Sequence, residues 1–214
     1  MKLHQSIQTK HTTRLFNGKH KYKIVLVSKA ASWFRGADLD HVKKQLGNVK
    51  TDIIQPIWVK SLNNDDIDKV LKIVTAIRPM NDYIIRVESP YINFYTNTVA
   101  DVEKLAKLVT DSVKYVSFPE PGSEADLDDK KIIVKNLDFD YRVTIGKTKQ
   151  NYSNFVQWCE DKDKVKLTNR AREQLAKDKS WGGYYFYVKD DKMLTMVKMF
   201  VGGAIQTVER CVKQ

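Results

Sequence analysis

The chain is poor in the residues that build cross-linked, membrane-spanning or metal-bound proteins. Two cysteines, Cys159 and Cys211, stand in 214 residues, too few for a disulfide framework or a zinc site. The longest apolar runs, such as Ile24-Val25-Leu26-Val27, fall far short of the roughly 20 residues a membrane-spanning helix needs. No apolar stretch follows the basic N-terminus, so no secretory signal is expected. A reduced, cytoplasmic or otherwise intracellular protein with no membrane span is the simplest expectation.

Catalytic signatures are equally scarce. There is no H-E-x-x-H, C-x-x-C or G-x-S-x-G pattern. Ile145-Gly146-Lys147-Thr148 carries the tail of a phosphate-binding loop, but Tyr141 stands where that loop needs its first glycine. Without the glycine-rich turn the backbone cannot wrap a phosphate, which excludes nucleotide hydrolysis by this motif. The four histidines, His4, His11, His20 and His41, are seven, nine and twenty-one residues apart and match no metal spacing. No metal and no cofactor are expected.

The most informative absence is of acid. No Asp or Glu occurs from Met1 through Gly36. The first fifty residues hold eleven Lys or Arg against Asp38 and Asp40, which is +9 of a whole-chain +11. A one-sided charge block points to a polyanionic partner, most often nucleic acid. Aromatic residues interleave with it: Phe16, Tyr22, and Trp33-Phe34 directly before Arg35. Lysines and arginines neutralise phosphates, and rings stack bases. The candidate contacts are therefore Lys19, Lys21, Lys23, Lys29, Trp33, Phe34, Arg35, Lys43 and Lys44. The competing reading puts Trp33 and Phe34 in the core and leaves the lysines as solubilising charge.

Periodicity gives an α+β chain with mixed or antiparallel sheets and packed helices. Strands are expected at 21–28, 53–59, 83–87, 92–96 and 113–118, with a hairpin around Ser89-Pro90. Helices are expected at 38–46, stopped by Gly47, at 64–78, capped by Asn64, and at 98–109, with Thr98 and Asp101 as a capping box. Residues 1–118 thus read as a basic subdomain with a basic N-terminal arm (1–23), and a ferredoxin-like unit is the fold analogy. Residues 119–130 hold five acids, two prolines and a glycine, and read as an acidic linker. The charge is +8 before that segment, −4 within it and +7 after it.

Residues 131–214 form the second subdomain. Leu137 to Ile145 alternates apolar with Asp138, Asp140, Arg142 and Thr144, a strand with one wet face. Helices follow at 153–161 and 168–179, the second carrying Arg170, Arg172 and Lys177 as further nucleic-acid contacts. Three strands, 184–188, 193–201 and 205–212, close the chain as a β-meander with Asp190-Asp191 and Gly202-Gly203 as turns. In 184–187, alternation places Tyr184 and Phe186 on one face and Tyr185 and Tyr187 on the other. Trp181 and the outer tyrosines are candidates for stacking, against a reading in which both faces are buried.

Three functions remain open. A non-enzymatic nucleic-acid-binding accessory protein leads. A structural or assembly protein, with a protein partner or a second copy on its arm and aromatic sheet, is the alternative. A nuclease-like enzyme comes third, using Asp138 and Asp140 with a metal, or His20 and His41 without one.

Overall fold

Alternation along a strand decides which side chains enter the first core. In β2 (Tyr22–Val27), Tyr22, Ile24 and Leu26 turn inward, and Lys23, Val25 and Val27 turn the other way. The same split runs through β3 (Tyr83–Glu88), β4 (Tyr91–Thr96) and β5 (Val113–Pro119), which send in Ile85, Ile92, Phe94, Val116 and Phe118. A computed structural model describes residues 4–50 and 62–213 and divides the chain into two units, Met1–Glu124 and Ala125–Gln214.

The sheet of the first unit has the order β1-β5-β2-β4-β3, with β1 spanning Thr9–Thr12. From β2 to β5 all neighbours are antiparallel, and β1 adds a parallel edge to β5. Between the strands lie α1 (Leu39–Lys50) and α2 (Asn64–Ile77), then α3 (Val99–Leu108). The order β5-β2-β4-β3 with helices in the two crossovers is the ferredoxin-like arrangement. Val42, Val70, Ile73, Ile77, Val102 and Leu105 bring the three helices to one core, shared with Trp33 and Phe34.

Several local expectations shift. In its described residues the segment expected as a basic arm (1–23) is not free: Thr9–Thr12 pairs with Val116–Pro119, and Ile7 is buried. An edge strand is held by backbone hydrogen bonds, so its sequence needs little apolar content. Gly47 does not stop α1, which continues to Lys50. Asn63, not Asn64, caps α2: its side chain accepts from Asp66 N–H at 2.8 Å, and Asp66 accepts from Asn63 N–H at 3.2 Å. Thr98 makes no side-chain cap, because Thr96 Oγ1 takes the Thr98 N–H and donates to Asp101. The strand expected at 53–59 lies outside the described residues.

The second unit has a sheet of order β6-β10-β7-β9-β8. Its elements are β6 (Lys131–Val134), β7 (Tyr141–Ile145), α4 (Ser153–Glu160), β8 (Val165–Leu167), α5 (Asn169–Leu175), β9 (Tyr184–Val188), α6 (Asp191–Val201) and β10 (Ile205–Lys213). Only β6–β10 is parallel. The chain does not end in a β-meander: 193–201 is helical. Met193, Leu194, Val197 and Val201 are buried at intervals of one, four and eight, which is one helical face. Asp190 is the N-cap, accepting from Met193 N–H at 2.8 Å, and Gly202–Gly203 end the helix in a 3-10 turn.

The 137–145 strand shortens to β7. Asp138 and Asp140 precede it and do not share a strand face with Arg142. Arg142 is not on a wet face. It is buried, lies 3.8 Å over the Tyr185 ring and meets Glu209 on β10 at 3.5 Å. The short strands β6 and β8 carried no sequence expectation.

Two closely packed features give checks on this fold. Gly182 has φ +78, and a Cβ there would lie 2.4 Å from the carbonyl carbon of Gly146. Gly182→Ala is expected to cost on the order of 3 kcal/mol, read from urea unfolding. Gly203→Ala, with open space around it, is the matched control and leaves the midpoint nearly unchanged.

His20 is fully buried, neither ring nitrogen has a hydrogen-bond partner among the described residues, and Asp82 is 3.8 Å away. Burial pulls its pKa below 6.5; Asp82 opposes this, and Lys19 adds to it. The unfolded chain therefore binds the proton more tightly. This contribution is fully present above pH 6.5 and is lost as pH falls through the window below it. His20→Leu should flatten the loss of thermal stability on acidification below pH 6.5. An acid limb as steep as that of the unmodified chain would show that His20 does not carry it.

Candidate nucleic-acid interface

The face of the first sheet turned away from its core carries aromatic rings and unpaired ammonium groups together. Register fixes its membership. Lys23 lies opposite Ser117 on β5 and Tyr95 on β4, Val25 opposite Tyr115 and Asn93, and Val27 opposite Tyr91. Lys10 on β1 pairs with Ser117, and Arg86 on β3 pairs with Asn93. Cross-strand partners share a face, so these residues lie together, with Val25, Asn93, Tyr95 and Ser117 buried beneath the longer side chains around them.

The lysines on that surface rest on rings. Lys10 Nζ is 4.0 Å from the centre of the Tyr115 ring, and Lys114 Nζ is 3.8 Å from that of Tyr91. Lys23 Nζ sits among three rings, 5.4 Å from Tyr95, 5.5 Å from Tyr115 and 5.9 Å from Phe16. Phe16 packs on Tyr95 with 5.6 Å between centres. Tyr91, Tyr115 and Phe16 are half-buried, and Tyr95 is buried. Among the described residues none of the three ammonium groups has a carboxylate partner, and Glu88 at the β3 edge is the one acid at the strand positions of this face.

Most of the sequence-derived contacts lie elsewhere. Lys19 pairs with Asp82, Lys21 with Glu124 at 3.6 Å, Lys29 with Asp66 at 3.1 Å and Lys43 with Asp40 at 4.0 Å. The acid missing from the first 36 residues thus arrives from elsewhere in the chain. Trp33 and Phe34 are 2% and 0% exposed and offer no ring to a base. Burying each is worth about 2–3 kcal/mol, as much as a stacking contact would return. Arg35 and Lys44 are exposed but stand on the segment from the turn Ala31–Ala37 to α1, not on the sheet. Of that first set only Lys23 lies on the aromatic face.

Lys10, Tyr91, Tyr95, Lys114 and Tyr115 were not anticipated. Their signal was present in Tyr91-Ile92-Asn93-Phe94-Tyr95, where Ile92 and Phe94 mark the core face and leave the tyrosines on the other.

In the second unit α5 ends at Leu175, short of Lys177. Arg172 faces Glu160 at 3.8 Å, and Arg170 and Lys177 are exposed. Asp138 is held by Lys189 and Lys213, whose hydrogen bonds and charge bring its pKa down to about 2. A carboxylate clamped by two lysines is a poor metal ligand, and among the described residues no three His, Cys, Asp or Glu side chains gather. His20 is the buried ring described above, and His41 is exposed on α1 with no acid–base pair between them. Burial pushes the Cys159 thiol up to about 12 and Cys211 up to about 11, so neither is a ready nucleophile. Among the described residues no helix is long and apolar enough to cross a membrane.

Compared with known proteins, the chain matches no family model, no curated protein and no solved structure.

Proposed function

We propose that this chain is a non-enzymatic nucleic-acid-binding protein whose first unit takes a single strand across the aromatic face of its sheet. The observation that carries the reading is the set of three lysines, Lys10, Lys23 and Lys114, parked on four rings with no carboxylate partner among the described residues. A ligand that presents flat apolar rings and anionic groups together satisfies both halves of that surface. Unpaired nucleotides do so, because their bases can leave the strand and stack while the phosphates meet the lysines. A duplex hides its base faces and would use the lysines alone. The use of one sheet face over two packed helices for this purpose is also familiar from RNA-binding modules of the same topology, an analogy of fold only.

A second reading, assembly through a further copy of the chain, is favoured by one observation. Met196, Met199 and Phe200 on α6 are 36%, 83% and 42% exposed. A defined oligomer in nuclease-treated material, dissociated by Met199→Glu in light scattering, would support that reading.

The binding test is anisotropy of labelled oligothymidylate and oligouridylate titrated between about 50 and 200 mM KCl. Lys10→Gln, Lys23→Gln and Lys114→Gln should each lower the salt slope by about 0.7, the single-strand value for one phosphate contact. Tyr115→Ala should weaken binding on the order of tenfold and leave the slope in place. Lys19→Gln and Lys29→Gln, which remove carboxylate-paired charges, should change little. A slope that follows Lys19 and Lys29 while ignoring Lys10, Lys23 and Lys114 would overturn the placement.

A further inference from the structure

Trp181 stands in water. It is 76% exposed, far more than the other described tryptophans, Trp33 in the first core and the half-buried Trp158. An indole left in solvent forgoes the burial that holds large rings inside proteins, so the fold does not explain its position. The backbone that presents it is fixed. Thr148 and Ser180, both buried, exchange hydrogen bonds at 3.1 and 2.9 Å, and Gly183 N–H donates to Ile145 at 2.9 Å. Gly182 sits against Gly146 so closely that no side chain fits between them. The loop with Gly146-Lys147-Thr148, which lacks the glycine turn of a nucleotide-binding loop, is thereby locked to the loop that carries the tryptophan.

Two cations flank the ring. Lys147 Nζ is 4.8 Å and Lys179 Nζ 5.5 Å from its centre, and neither has a carboxylate partner among the described residues. Asp178, the nearest acid in sequence, is engaged by the Asn151 amide at 3.2 Å. The site is therefore an exposed ring on a fixed backbone with two ammonium groups beside it that have no carboxylate partner among the described residues. It repels cationic ligands. An acidic peptide would meet the lysines and leave the ring bare. An unpaired nucleotide uses all three groups, with the base on the indole and the adjoining phosphates on the ammonium groups.

We infer that Trp181, Lys147 and Lys179 form a second single-strand contact, built entirely on the second unit. The inference rests on the reading that the chain binds nucleic acid but not on the residues of the first site.

The test uses the full chain and oligothymidylate, with tryptophan emission and anisotropy read on the same samples. Stacking on Trp181 should quench emission on binding. Trp181→Phe should remove most of the quench while keeping binding close to that of the unmodified chain, and Trp181→Ala should weaken binding on the order of tenfold. Because the ring is exposed, both variants should melt at the unmodified temperature. Lys147→Gln with Lys179→Gln should lower the salt slope by about 0.7 for each. Binding by anisotropy with no quench, and no loss in Trp181→Ala, overturns this site and leaves the first one standing. Absence of any oligonucleotide binding overturns both. A quench produced by polyglutamate and not by the oligonucleotide overturns the nucleotide as occupant in favour of an acidic protein segment.

Discussion

The two-residue repeat of a pleated strand is the constraint on which the first unit depends. Ile24 and Leu26 cannot enter the core without sending Lys23, Val25 and Val27 to the opposite face. The same holds for Ile92 and Phe94 against Tyr91, Asn93 and Tyr95. Once antiparallel register aligns these strands, the outward residues are collected on one face whether or not any of them contributes to stability. A one-residue slip would bury the lysines and expose the core, so the core itself enforces the composition of the outer face. The placing of rings and ammonium groups there is thus a by-product of folding in geometry, but not in residue choice.

Charge density along the sequence proved a poor guide to free charge in space. Lys19, Lys21 and Lys29 belong to the densest basic block, yet Asp82, Glu124 and Asp66 neutralise them from positions 37 to 103 residues away. On the aromatic face, the lysines without a carboxylate partner among the described residues lie one on β1, one on β2 and one on β5. They are far apart in the chain and close together only because β1 and β2 both flank β5. No window of sequence contains that neighbourhood.

Local signals were legible where one element decides its own fate. The helices α2 and α3, the hairpin around Ser89-Pro90 and the inward triplet Phe155, Val156 and Cys159 of α4 are present as read, but Leu71 on α2 and Leu108 on α3, which fit the apolar spacing of their helices, are exposed. The errors arose where two periods fit one string. Met193 to Val201 is dense in apolar residues, and density suggested a strand, while the spacing of Met193, Val197 and Val201 already suited a helix. Trp33 and Phe34 beside Arg35 looked like a stacking motif because sequence shows neighbours but not depth. Conversely, Trp181 stood among so many rings that its isolation in solvent could not be read until Tyr184 and Phe186 were seen to take the core positions. The wet face assigned to Arg142 failed for a related reason: Tyr185 and Glu209, which bury and pair it, come from strands forty or more residues later.

The way the free lysines are parked bears on how tightly they can bind. An ammonium over an exposed ring and one in an exposed ion pair are each held weakly, so what separates them is the group left behind when the ammonium turns to a phosphate. Lys10, Lys23 and Lys114 on the first unit, and Lys147 and Lys179 on the second, all rest on rings. An incoming phosphate therefore displaces little, and the ring that the ammonium leaves is uncovered at the same moment for a base. Lys19, paired with Asp82, and Lys29, paired with Asp66, would leave behind a bare carboxylate, which repels the phosphate. Among cations in one chain, it is the partner already in place, more than the charge itself, that separates a binding surface from a stabilising one.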